Sequence, residues 1–236
     1  MDEIFLKKIE GDYEKTKLQF QKDVNASASD VAEQIKEYSK IFQEVFRFLI
    51  KAFEGKLRKD EKTPLVFHSI YLPKLIYICG IRDLETLLIA SLHDVLEDTR
   101  ITEAELSSQP FVEEELIPKL KLLKEDSSLS REPDGKNLPP RYKAHIKKLM
   151  GSSAKILNVE ILDRFSDLMD LEYIIELTEE EKSLRLKSKI IKVRSFVENL
   201  TRTRTDFSQE CLSLFNYKLK QRMKEFNIDA EAEIIY

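Results

Sequence analysis

Residues 84–99, LETLLIASLHDVLEDT, constrain this chain more than any other stretch. Leu87, Leu88, Ala90, Leu92, Val95 and Leu96 recur at helical intervals, which predicts one mostly buried helix. Set into it are His93, Asp94, Glu97 and Asp98. Unpaired charge is costly to bury, so three carboxylates and an imidazole here point to a metal ion or a catalytic role. In a continuous helix His93 and Glu97 would lie on neighbouring turns, as would Asp94 and Asp98. An isolated His-Asp pair is most often a surface pair or a core histidine bonded to a carboxylate. The acidic pair one turn later favours the metal reading, provided that further ligands lie elsewhere in the chain.

The rest of the sequence predicts helices around this one. Only 5 glycines and 7 prolines occur in 236 residues. Leu, Ile, Lys and Glu are plentiful, which argues for an all-α bundle of about eight to eleven helices. A formal charge of −4 argues against a general nucleic-acid-binding surface. No apolar run is long enough to span a membrane, and the charged N-terminus lacks the apolar core of a secretory signal. Cys79 and Cys211 read as small core residues in a reducing compartment, and the expected location is the cytoplasm.

Taken in order, residues 1–26 predict an amphipathic helix with Phe5, Ile9 and Tyr13 on one face, an N-terminal extension to a domain spanning 27–236. A break at residues 25–29 leaves Ser27 to start the next helix. Ile35, Tyr38, Phe42, Val45 and Leu49 mark a core-facing helix. Residues 53–67 are polar and irregular around Pro64. His68 then opens an apolar helix with Pro73 inside it and Gly80 at its end; His68 is a cap, a core residue or a ligand. Thr102 is a candidate cap. Residues 124–140 read as a surface loop, a lid or an insertion. Asp163, Asp167 and Asp170 form an acidic stripe, either solvated and paired with Arg164 or partly enclosed by Leu162, Phe165 and Leu168. A long helix over 179–200 carries Leu186, Ile190, Val193, Val197 and Leu200. The last helix uses Leu212, Phe215, Leu219 and Met223.

His68, His93 with Asp94, and Asp163 thus fall on three separate helices. Two imidazoles and two carboxylates make a nitrogen–oxygen set suited to Mn, Fe, Zn or Co. Three blocks carry a resemblance. Arg58-Lys59, then Thr63-Pro64-Leu65-Val66-Phe67-His68, resembles R-K…P-Y-I-x-H-P. The run from His93 to Thr99, HDVLEDT, matches H-D-V-x-E-D-T at every defined position. Val159-Glu160-Ile161-Leu162-Asp163-Arg164 resembles V-K-L-A-D-R. In order and separation these blocks resemble the HD-domain phosphohydrolase superfamily, and within it the hydrolase domain of RelA/SpoT-type alarmone enzymes, including small stand-alone members.

The resemblance implies an HD-domain helical bundle whose metal ligands are His68, His93, Asp94 and Asp163, with manganese the usual occupant. It implies that Glu97 and Asp98 handle the attacking water and that Arg58 and Lys59 meet the nucleotide. The implied reaction removes pyrophosphate from the ribose 3′ position of ppGpp or pppGpp. Four positions depart from the family pattern: Phe53 replaces a histidine, Leu65 a tyrosine, Ser69 a proline, and Asp167 an asparagine that would meet the nucleotide. These departures keep two alternatives open: an HD phosphohydrolase for another nucleotide or phosphoester, and a degenerate binding module without turnover.

Overall fold

The computed structural model describes residues 3–130, 138–171, 179–202 and 204–229. Among the described residues there are twelve α-helices and one 3-10 turn. An isolated bridge between Leu57 and Pro64 takes the place of any β-strand there. The chain is all-α, as expected; the helices outnumber the expectation because residues 84–99 form two elements. It divides into two compact units, Met1–Lys124 and Glu125–Tyr236.

The first unit holds α1 (Glu3–Phe20), α2 (Val24–Gln34), α3 (Ser39–Ala52), α4 (Val66–Ile78), α5 (Leu84–Leu92), α6 (Val95–Asp98), α7 (Glu103–Ser107) and α8 (Leu116–Leu123). The first break falls earlier than the sequence suggested. Asp23, in extended backbone, accepts from the Ala26 amide at 3.0 Å and caps α2. Ser27 is therefore inside α2, its hydroxyl donating to the Asp23 carbonyl at 2.6 Å. A carboxylate at the N-cap both satisfies an orphan amide and meets the positive end of the helix dipole. The apolar run 35–49 also divides: Lys36 takes a left-handed φ of 40°, and Ile35 ends α2 before Phe42, Val45, Phe46 and Leu49 bury one face of α3.

Helix α4 is buried along its length from Val66 to Tyr77, as expected of a helix that is apolar all round. It begins two residues before His68, so His68 lies inside the first turn and does not cap it. It runs through Pro73 and stops at Gly80, which has φ 90°. The Ile81 amide donates to the Ile76 carbonyl at 3.3 Å and the Gly80 amide to Tyr77 at 3.1 Å, a Schellman closure. Helix α4 packs on α5 and also meets α1, α2 and α3. The face of α1 carrying Leu6, Ile9, Tyr13, Lys17 and Phe20 is buried. Tyr13 meets Phe67 and Tyr71 edge-on at 5.1 and 4.9 Å. Thr102 caps α7 in a full capping box with Glu105, as its position suggested.

The second unit holds α9 (Pro140–Leu149), α10 (Ala154–Met169), α11 (Glu179–Thr201) and α12 (Gln209–Glu225). Helix α10 packs on α11 and α12, and α9 on α11. Leu186, Ile190, Val193, Val197 and Leu200 are buried as expected; in α12 Leu214 is buried where Leu212 is only half so. Arg222 of α12 takes the orphan carbonyls of Leu168 and Met169 at 2.9 and 3.1 Å and so ends α10. Of the expected loop 124–140, residues 131–137 lie outside the described residues, as do residues 230–236 of the tail. Cys79 and Cys211 are buried as reduced thiols.

An added Cβ at Gly80 would meet nothing within 4 Å, so only the backbone resists substitution. Gly80→Ala should cost about 1 kcal/mol through the left-handed φ. The measurement is the urea midpoint, expected to fall without a change in slope.

Candidate metal centre

The helix expected over residues 84–99 is interrupted where its charges lie. Helix α5 stops at Leu92, and α6 is a single turn from Val95. Asp94 between them has φ −87° and ψ −9°, in the bridge region that many active-site residues occupy. A continuous buried helix would have fixed the four polar side chains to its own cylinder. The break lets His93 and Asp94 turn to a common point instead. The new ends are satisfied locally. The Glu97 and Asp98 amides both donate to the Asp94 carbonyl, at 3.1 and 2.7 Å. The Thr99 hydroxyl donates to the Val95 carbonyl at 2.6 Å. Lys56 donates to the Asp98 carbonyl, and Lys124 to that of Leu96. The part played by Lys56 was not legible, since its partner is 42 residues away.

His68, His93 and Asp94 converge. The two Nε2 atoms are 3.2 Å apart, Asp94 Oδ1 lies 3.1 Å from His93 Nε2, and Oδ2 lies 3.7 Å from His68 Nε2. Both histidines are buried and Asp94 is half-buried. His93 Nδ1 lies 2.8 Å from the Ala90 carbonyl. A carbonyl can only accept, so Nδ1 carries the proton and a neutral His93 presents the Nε2 lone pair inward. That lone pair faces a carboxylate oxygen, an arrangement that a shared cation or proton makes favourable.

The donor set fits a divalent transition-metal ion. Neighbouring octahedral ligands about 2.1 Å from an ion stand about 3 Å apart, close to the observed 3.1 and 3.2 Å. Two imidazole nitrogens and a carboxylate meet the preferences of Mn, Fe, Co or Zn. The Nδ1–H bond to a backbone carbonyl is the usual outer support of a ligating histidine. Glu97 and Asp98 follow on α6. Although Asp98 is exposed as a residue, lost hydration and then the charge of Asp94 hold its carboxyl above the ordinary aspartate range.

Asp163 lies on α10 in the second unit, 20% exposed at its side chain, beside a buried ion network. Arg164 is the centre of that network. Its Nε and Nη2 hold Glu160 Oε1 at 2.9 and 2.6 Å, and Nη2 reaches Glu125 at 3.3 Å. Nη1 meets Asp167 at 3.1 Å and stands 3.7 Å from Asp163. The guanidinium also lies 4.8 Å over the Phe196 ring. His145 meets the other oxygen of Glu160 at 3.3 Å. Asp167, expected at the nucleotide, is engaged by Arg164 and by Lys189 at 2.9 Å. Glu160 and Glu125 were not foreseen in the sequence; a carboxylate among Val159, Ile161 and Leu162 was the available signal. Burial alone would raise the Glu160 carboxyl, but the charges of Arg164 and His145 outweigh it and hold it below the ordinary range.

No protein-family model matches the sequence, and no curated protein matches it. Among solved structures the chain is similar to a metazoan ortholog of SpoT that hydrolyses ppGpp and plays a role in starvation responses. That likeness has a TM-score of 0.58 at 21% identity, over 79% of this chain and 95% of that one. At this identity it establishes the fold alone, an all-α arrangement shared with that protein. Among the described residues no helix is long and apolar enough to cross a membrane.

Arg164→Met would leave Glu160 buried without its main cation, at a cost of about 3–5 kcal/mol. In the wild-type protein the depressed Glu160 stabilises fully above the unfolded carboxylate value, and that stability is lost as pH falls through the lower folded value. The variant should lose this acid-side slope or reverse it, as read by chemical denaturation at stepped pH.

Proposed function

We propose that the chain is a manganese-dependent hydrolase that removes pyrophosphate from the ribose 3′ position of ppGpp or pppGpp. The observation that carries this reading is the convergence of His68, His93 and Asp94, whose donor atoms lie within 4.8 Å of one another, on a fold shared with a ppGpp-hydrolysing protein. In this reading Asp163 is the fourth ligand, from the domain of residues 27–236 that follows the N-terminal helix. A bound divalent ion would polarise the phosphoryl group and lower the pKa of the attacking water. Glu97 and Asp98, one turn beyond the ligands, take that water's proton. The water oxygen bonds to phosphorus, the bond from phosphorus to the 3′ oxygen breaks, and the ribose hydroxyl takes up a proton. Arg58 and Lys59 offset the charge of the polyphosphate, arginine by paired hydrogen bonds.

Two departures bear on the substrate. Asp167 would repel a phosphate if its charge were open, but Arg164 and Lys189 offset it. Phe53 is 3% exposed and joins the core, so the histidine that the family pattern places there has no polar replacement. This favours, as the second reading, an HD phosphohydrolase for another nucleotide.

Purified protein given Mn2+ should release one pyrophosphate per ppGpp. Turnover of a different nucleotide in a panel, with ppGpp intact, would select the second reading. Asp94→Ala should lose metal and turnover together, as read by elemental analysis beside the assay. Glu97→Gln should keep the metal and lower kcat by about 10²–10⁴.

A further inference from the structure

We propose that α1 and the turn that follows it brace the nucleotide loop: Lys17 and Gln21 hold Asp60 and Thr63, and thereby fix the turn that carries Arg58 and Lys59. The inference rests on the reading that these two cations meet the nucleotide, and it gives the N-terminal helix a part in substrate binding.

Residues 56–65 close on themselves. The Leu65 amide donates to the Lys56 carbonyl at 2.9 Å, and the Arg58 amide to that of Thr63 at 2.8 Å. The Asp60 carboxylate fills the turn. It accepts from the Lys62 amide at 3.0 Å, the Thr63 amide at 2.8 Å and the Thr63 hydroxyl at 2.5 Å. Glu61 is forced to a left-handed φ of 55°, a conformation that a non-glycine residue adopts at a cost. Such a turn persists only where its surroundings over-determine it.

The surroundings come from α1 and the turn that follows it. Gln21 Nε2 donates to the Thr63 hydroxyl oxygen at 2.8 Å, across 42 residues of sequence. Lys17 Nζ lies 4.0 Å from Asp60 Oδ2. Thr63 is fully buried, and the Lys17 and Asp60 side chains are 3% and 6% exposed. A lysine this deep needs a carboxylate, and Asp60 is within reach. The chain of contacts therefore runs from Gln21 through Thr63 to Asp60 and Lys17, and joins helix to loop. The middle of α1 also grips α4: Asp12 pairs with Lys74 at 2.6 Å and accepts from the Tyr71 hydroxyl at 2.8 Å. Tyr71 follows His68 by one turn. A single helix thus fastens both the loop with the two cations and the helix bearing a metal-ligand candidate.

The consequence is preorganisation. An irregular loop ordered only on binding would lose conformational entropy at that moment, about 1–2 kcal/mol for each residue fixed. Fixing it beforehand moves that cost out of the binding step. Weakening the brace should therefore weaken nucleotide binding more than it slows chemistry.

The test uses the full chain with Lys17→Met, and separately Gln21→Ala. Gln21 is exposed, so its truncation spares the core. With ppGpp and Mn2+, each variant should raise KM about tenfold, with kcat and bound manganese unchanged; tenfold corresponds to about 1.4 kcal/mol. Amide hydrogen exchange should speed up across residues 58–65 and stay the same in α5. Unchanged exchange in the loop, or faster exchange without a rise in KM, would overturn the proposal. If the wild-type protein turns over no ppGpp, the substrate reading fails by itself, and the exchange measurement still decides whether α1 holds the loop.

Discussion

The hydrogen bond from His93 Nδ1 to the Ala90 carbonyl sets the character of the centre. It fixes the tautomer and points the Nε2 lone pair at His68 and Asp94. It exists because the backbone stops being a regular helix at Leu92. A buried helix with four titratable side chains would face an insoluble electrostatic problem if it ran on. The chain resolves it with a break, an Asp94 in the bridge region, and a single further turn whose Leu96 and Asp98 carbonyls are taken by lysines.

The second unit handles its charge differently. Glu160, Glu125 and Asp167 surround one buried guanidinium, with an aromatic ring on its face. Such a cluster adds little net stability beside an apolar core of the same volume, yet losing one member is severe. Its effect is positional. Arg164 is adjacent in sequence to Asp163 and engages the carboxylates on either side of it along α10, which limits where Asp163 can point.

Much of this was legible in the sequence for identifiable reasons. The all-α fold followed from scarce glycine and proline and strong helical periodicity. The HDVLEDT run singled out His93 and Asp94, two members of the candidate cluster, because charges set among leucines demand an explanation. Gly80 and Thr102 were read correctly as a stop and a cap, since each depends only on neighbours within a few residues. The misreadings have one physical origin. Ser27 and Asp23 are both good caps, and backbone geometry chose Asp23. The interruption at His93 is a matter of backbone dihedrals that apolar spacing does not encode. Lys17 with Asp60, Gln21 with Thr63, and Arg164 with Glu125 are long-range pairs, and helical periodicity carries no signal for such pairs.

What we propose is that His68, His93 and Asp94, with Asp163 as a fourth ligand, share one cation. A crystal of the protein grown with Mn2+ and measured at the manganese absorption edge tests it directly. The account predicts one anomalous peak bonded to His68 Nε2, His93 Nε2 and the carboxylates of Asp94 and Asp163. A peak bonded to other residues, or a peak at the histidines that Asp163 does not reach, would contradict it.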